Sequence, residues 1–107
     1  MKFEMFKGKN GEFYFRLKAK NGQIILASEG YKNKAGAENS IMAIQKNGQD
    51  QTKFEWTKSK NKKWYFNLKA ANGQTIGTSQ MYATKRGMQG GIASVMRNAK
   101  APTVEKF

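Results

Sequence analysis

The chain has 107 residues, 38% of them hydrophobic, and carries twenty Lys and Arg against seven Asp and Glu, a formal net charge of +13. That length supports one modest core, and seven Phe, four Tyr and two Trp are too many aromatics for a disordered chain. There is no His and no Cys, which excludes Ser-His-Asp and Cys-His catalysis, thiol redox chemistry and ordinary zinc sites, since each needs one of those side chains.

The opening residues Met1 to Phe6 contain an acid and no apolar run, so no secretory signal is expected. No stretch approaches ~18 apolar residues, so no membrane-spanning helix is expected. Without cysteine there is no disulfide framework, and a cytoplasmic, monomeric protein without cofactor is the expectation.

One feature organises everything else. Residues 3–48 align without gaps on residues 54–99, and 20 of the 46 pairs are identical. Tyr14-Phe15-x-Leu17-Lys18-Ala19 returns as Tyr65-Phe66-x-Leu68-Lys69-Ala70, and Asn21-Gly22-Gln23 as Asn72-Gly73-Gln74. Residues 1–52 and 53–107 are thus two copies of one unit, expected to pack about a pseudo-two-fold axis as a homodimer would.

In chain order, Phe3 and Met5 alternate with Glu4 and Phe6, a strand period. Asn10-Gly11 predicts a tight turn, with Asn61-Lys62 its weaker counterpart. Phe13, Phe15 and Leu17 then share one face, as do Trp64, Phe66 and Leu68. That alternation predicts a half-buried antiparallel strand. Asn21-Gly22 and Asn72-Gly73 predict hairpins into third strands at 23–28 and 74–79. Within these, Ile25 recurs as Ile76 and is expected to face the core, whereas Leu26 becomes Gly77 and is expected not to.

The period then changes. Ala37, Ile41 and Ile44 fall at i, i+4, i+7, as do Met88, Ile92 and Val95, one apolar helical stripe per unit. Asn33 and Thr84 are the expected N-caps. Asn47 and Asn98 are the expected stops, through the left-handed conformation asparagine tolerates. Pro102 fits the exit from the second helix, and Thr103-Val104-Glu105 is a candidate closing strand. The fold class expected is α+β: two tandem β-β-β-α repeats, antiparallel sheets, one helix per repeat.

The run Tyr65-Phe66-Asn67-Leu68-Lys69-Ala70-Ala71-Asn72-Gly73-Gln74, followed by Ile76-Gly77-Thr78-Ser79-Gln80-Met81-Tyr82 and Gly91-Ile92-Ala93-Ser94-Val95, resembles the YegP family of small bacterial proteins. Phe15 to Ala19 with Asn21-Gly22, and Ser28-Glu29-Gly30-Tyr31, are similar to that family's first repeat. The resemblance spans nearly the whole chain. It implies the tandem βββα fold and no activity, since the family is one of unknown function.

Charge is the loudest remaining signal. Residues 1–52 hold nine bases and five acids, whereas residues 53–107 hold eleven and two. Lys58, Lys60, Lys62 and Lys63 cluster at the expected hairpin tip, where a phosphate backbone would release counterions on binding; lysine-rich turns also keep strand edges from pairing. Tyr14, Arg16 and Lys18, with Tyr65 and Lys69, are expected on the outer sheet face, an arrangement suited to base stacking on Tyr14 and Tyr65 with phosphate contacts beside it. Lys34, Lys85 and Arg86 stand near the helix starts, where a lysine can share a phosphate or carboxylate with helix N–H groups. Gly87, Gly90 and Gly91 follow no buried parallel strand, so they form no dinucleotide fingerprint; close packing of the second helix would justify them. Glu4 and Glu55 are expected to pair with lysines across strands. The functional expectation is a non-enzymatic interaction module that binds nucleic acid or another polyanion through its lysines. The alternative is protein–protein binding through a sheet edge or helix face.

Overall fold

A computed structural model describes residues 1–107. The strands β1 (Lys2–Lys7), β2 (Phe13–Lys18) and β3 (Ile24–Ala27) precede helix α1 (Lys34–Asn47). A 3-10 turn, Gln51–Lys53, leads into β4 (Phe54–Lys58), β5 (Trp64–Lys69), β6 (Thr75–Thr78), helix α2 (Lys85–Asn98) and β7 (Thr103–Glu105). All seven strands form one sheet in the order β4-β5-β6-β3-β2-β1-β7. Each repeat is an antiparallel meander, and the two meet where β3 pairs antiparallel with β6 through Ala27 and Thr78. The six meander strands therefore read the same from either edge in repeat terms, as the pseudo-two-fold expectation requires.

Alternation decides what each strand buries. Phe3 and Met5 on β1 face Leu17 and Phe15 on β2, and all four are buried. Phe54, Phe66 and Leu68 repeat the arrangement. These residues join the helix stripes Ala37, Ile41, Ile44 and Met88, Ile92, Val95 in one continuous core. The opposite sheet face carries Glu4, Tyr14, Arg16, Lys18, Tyr65, Asn67 and Lys69. Both helices start as expected: Asn33 accepts a hydrogen bond from the Gly36 N–H, and Thr84 from the Gly87 N–H.

Three local expectations are corrected. Leu26 is fully buried, because it fills the space opposite Gly77: a Cβ on Gly77 would lie 2.8 Å from Leu26 Cγ. Near the pseudo-axis only one of two equivalent positions can hold a large side chain. Asn47 and Asn98 end their helices without a left-handed residue, since the capping residues Gly48 and Ala99 remain right-handed. The exposed carbonyls are met otherwise, by the Gly48 N–H on the Ile44 carbonyl and the Asn98 side-chain amide on the Ser94 carbonyl. The adjacent glycines of α2 also differ from each other. A Cβ on Gly91 would stand 2.7 Å from the Tyr82 ring, whereas one on Gly90 would meet open space. Only Gly91 is a packing glycine.

Two stability measurements follow. Gly90→Ala should raise the melting temperature, by up to about 1 kcal/mol of stability, while Gly91→Ala should lower it. At the β4–β5 turn Lys62 takes φ +66°, matching Gly11 at +81° in the first repeat. A side chain costs roughly 1–2 kcal/mol there, so Lys62→Gly should stabilise by about 1 kcal/mol despite removing a surface side chain.

Candidate functional site

The basic residues separate into engaged and free groups. Arg16 and Lys18 turn onto Glu4, with Arg16 Nη2 at 3.0 Å and Lys18 Nζ at 3.7 Å, and Lys2 approaches at 4.0 Å. Lys69 donates to Thr75 Oγ1. Lys34 holds Glu105 at 2.7 Å. Among the rest, Lys60, Lys62 and Lys63 at the β4–β5 turn, Lys58 at the end of β4, and Lys85 and Arg86 opening α2 are exposed and in no ion pair; Lys7, Lys9, Lys20 and Lys32 of the first repeat are unpaired as well. All four ion pairs of the molecule involve Glu4 or Glu105. Tyr14 is stacked on Phe6 at 5.7 Å, and its hydroxyl accepts from Asn10. Tyr65 is half-buried on β5, three strands away.

Glu4 is buried beneath its three cations. Burial alone would push its carboxyl up, but the Arg16 hydrogen bond and the charges of Lys18 and Arg16 outweigh it and hold the pKa below the ordinary 4.5. Its equivalent, Glu55, is exposed and faces Asn67 instead of an arginine, with no ion pair. The two carboxylates stand on strands five spacings apart, about 24 Å, so they cannot act on one substrate.

The outer ends of the two repeats differ most. In the first, β7 lies parallel along β1, pairing Phe3 with Thr103, Glu4 with Val104 and Met5 with Glu105. The Phe3 N–H donates to the Pro102 carbonyl and the Lys106 N–H to the Met5 carbonyl. Phe107 then sets its ring edge-on to Phe13 at 5.5 Å, with the Lys34 ammonium 5.4 Å from its centre. In the second repeat Met5, Phe13 and Lys34 become Trp56, Trp64 and Lys85. Trp56 packs on Trp64 at 5.8 Å, with Lys85 Nζ at 4.4 Å from the Trp56 ring centre and 5.9 Å from that of Trp64. Trp56 thus supplies from within the strand the ring that Phe107 supplies from the tail. No strand pairs with the outer side of β4, and no carboxylate pairs with Lys85.

β4 is consequently an open edge. Phe66 uses its backbone N–H and C=O toward Ser79, on the β6 side. Trp56, directly opposite Phe66, therefore sits in a non-hydrogen-bonded pair and aims both backbone groups outward. The Phe54 N–H is already satisfied by the Gln51 carbonyl. A hollow of about 170 Å³ lies beside this edge, lined by Gln51, Phe54, Trp56, Gln89 and Ile92; Trp56 itself is 43% exposed. The sequence pattern puts Trp64 on the apolar face of its strand and does not single out Trp56. The available signal was the Met5-to-Trp56 difference, a large aromatic standing where the other copy keeps a core methionine.

These features define a tandem βββα protein whose first repeat is extended by the tail strand β7 and whose second repeat ends at β4. The chain belongs to the family described as a domain of unknown function, DUF1508, which matches twice, at residues 9–55 and 59–105. A UPF0339 protein of Acinetobacter baylyi is 52% identical over 103 residues, covering 96% of this chain and 93% of that one. YegP of Escherichia coli K12 is 47% identical over 103 residues, 96% of this chain and 94% of the relative. The solution structure of a UPF0339 protein from Shewanella oneidensis superposes with a TM-score of 0.92 at 46% identity, covering 96% of this chain and 88% of that chain. That of Escherichia coli YegP, a protein of unknown function, also gives 0.92, at 44% identity over 97% and 90%. The family and fold that the repeat residues implied are therefore established.

The Glu4 cluster makes a pH prediction. Because its pKa is depressed in the folded state, its contribution is present above pH 4.5 and fades as pH falls through the lower folded value. Glu4→Gln should lower the melting temperature at neutral pH, and the difference from the parent should shrink in melts taken progressively below pH 4.5.

Proposed function

We propose that the protein is a non-catalytic interaction module that engages an anionic partner through the open end of its second repeat. The observation that carries this reading is the inequality of two equivalent ends: one is closed by the chain's own tail, the other leaves β4, Trp56 and Lys85 uncovered. Several features support it. The second repeat holds most of the excess charge, and its cations have no acid partners within the chain. An unpaired strand edge offers backbone groups that recognise another chain directly. The non-catalytic part rests on the residues available: the one carboxyl with a depressed pKa beneath a roof of cations is neutralised by them rather than poised for proton transfer.

A second reading places the contact at the hairpin tip, where Lys60, Lys62 and Lys63 are exposed and unpaired, with a nucleic acid or other polyanion as the ligand. Titration with labelled single-stranded RNA, single-stranded DNA, duplex DNA and heparin, at low and near-physiological salt, separates the two. The only two tryptophans stand at the open end, so binding there changes their emission, and Lys85→Gln should weaken it. Binding that leaves tryptophan emission unchanged, falls steeply with salt and is removed by the triple Lys60→Gln, Lys62→Gln, Lys63→Gln variant would move the site to the tip and overturn the open-end reading.

A further inference from the structure

At the closed end three things cover the first repeat: parallel backbone pairing along β1, the Glu105 carboxylate on Lys34, and the Phe107 ring on Phe13. At the open end the ring is already present as Trp56 on Trp64. The strand and the carboxylate are what is lacking. Lys85 is free of any acid, the outward backbone groups of Trp56 are available, and the adjoining hollow is lined by Phe54, Ile92 and the exposed Trp56.

We infer that the β4 edge accepts an extended acidic segment of a partner protein, running parallel to β4, with a Glu or Asp opposite Trp56 whose carboxylate pairs with Lys85. This rests on the open-end reading above and adds the occupant's chemistry, direction and register. The template is the chain's own tail: Glu105 stands opposite Met5, the equivalent of Trp56, and reaches Lys34, the equivalent of Lys85. A second copy's tail is the poorer occupant. Thr103 to Glu105 is already paired in its own sheet, and a tethered strand outcompetes a free one through its high effective concentration. Only the rung at Phe54 differs, since its N–H is taken by Gln51; pairing begins one residue later.

The probe is the capped hexapeptide with the sequence of residues 101–106, Ala-Pro-Thr-Val-Glu-Lys, titrated to millimolar concentration against the full chain. Tryptophan emission and the amide resonances of residues 54–58 are followed. Saturable changes in both are expected. Replacing the peptide glutamate with glutamine, or Lys85→Gln in the protein, should weaken binding by up to about five-fold, as for an exposed ion pair. Proline in place of the peptide valine removes a backbone donor and should abolish binding while preserving charge. Equal binding by the parent and proline peptides, with the glutamine peptide weaker, would overturn strand addition and leave only charge attraction; equal binding by all three would overturn both the strand pairing and the carboxylate contact. Silence from every peptide, with a polyanion still changing tryptophan emission, would overturn the peptide occupant while the open-end reading stands. Silence from peptides and polyanions alike would overturn both. Concentration-dependent dimers of the full chain, lost on deleting residues 103–107, would overturn the partner segment in favour of a second copy.

Discussion

The seam between β3 and β6 is the contact on which the rest of the molecule depends. A single repeat offers three strands and one helix, and its third strand would end as an edge. Pairing β3 antiparallel to β6 turns two such edges into the middle of one sheet and merges the two helix-covered faces into one core. Leu26 and Gly77 show how tight that junction is. The leucine occupies the room a second side chain would need, and removing a fully buried leucine costs about 2–5 kcal/mol in a well-packed core. Symmetry is therefore broken first where the two copies touch.

From that seam outward the copies keep their backbone and diverge in their chemistry. Arg16 becomes Asn67, so Glu4 lies under a roof of cations while Glu55 stays in solvent. Ser40, which shares a hydrogen bond with the Tyr31 hydroxyl, becomes Gly91, against which Tyr82 packs directly. Met5 and Phe13 become Trp56 and Trp64. The first repeat pairs Lys2, Arg16 and Lys18 with Glu4, and Lys34 with the tail's Glu105, and the tail lies along its outer strand. The second carries unpaired cations, two adjacent indoles and an open strand. A five-residue edge ending in Lys58 and a lysine-rich turn is partly guarded against indiscriminate pairing, which is compatible with the charged partner proposed above.

Lys34 illustrates how strand order, not the sequence around a residue, decides what a charge meets. A lysine at the start of each helix suggested an anion beside it. The anion at Lys34 is the chain's own Glu105, seventy-one residues away in sequence and brought there by β7. Its hydrogen bond with Glu105 raises the Lys34 pKa. Lys85, the same residue in the other copy, has the aromatic neighbours without the acid. Neither pattern is visible along the chain, because both depend on which strand closes which edge.

Local physics was legible in the sequence by itself. Alternation placed β1, β2 and β5, the Asn-Gly pairs placed the hairpins, and the i, i+4, i+7 stripes with Asn33 and Thr84 placed the helices, because each is set by residues within a few positions of one another. The repeat itself, and with it the family, needed only comparison of the chain with its own second half. The tertiary structure alone decided the burial of Leu26 against Gly77, the parallel docking of β7 on β1, and the exposure of Trp56 beside Lys85. Those outcomes turn on strand order and on contacts between segments tens of residues apart, and the two repeats, locally near-identical, acquire different ends only when the sheet is assembled and a single tail can cover just one of them.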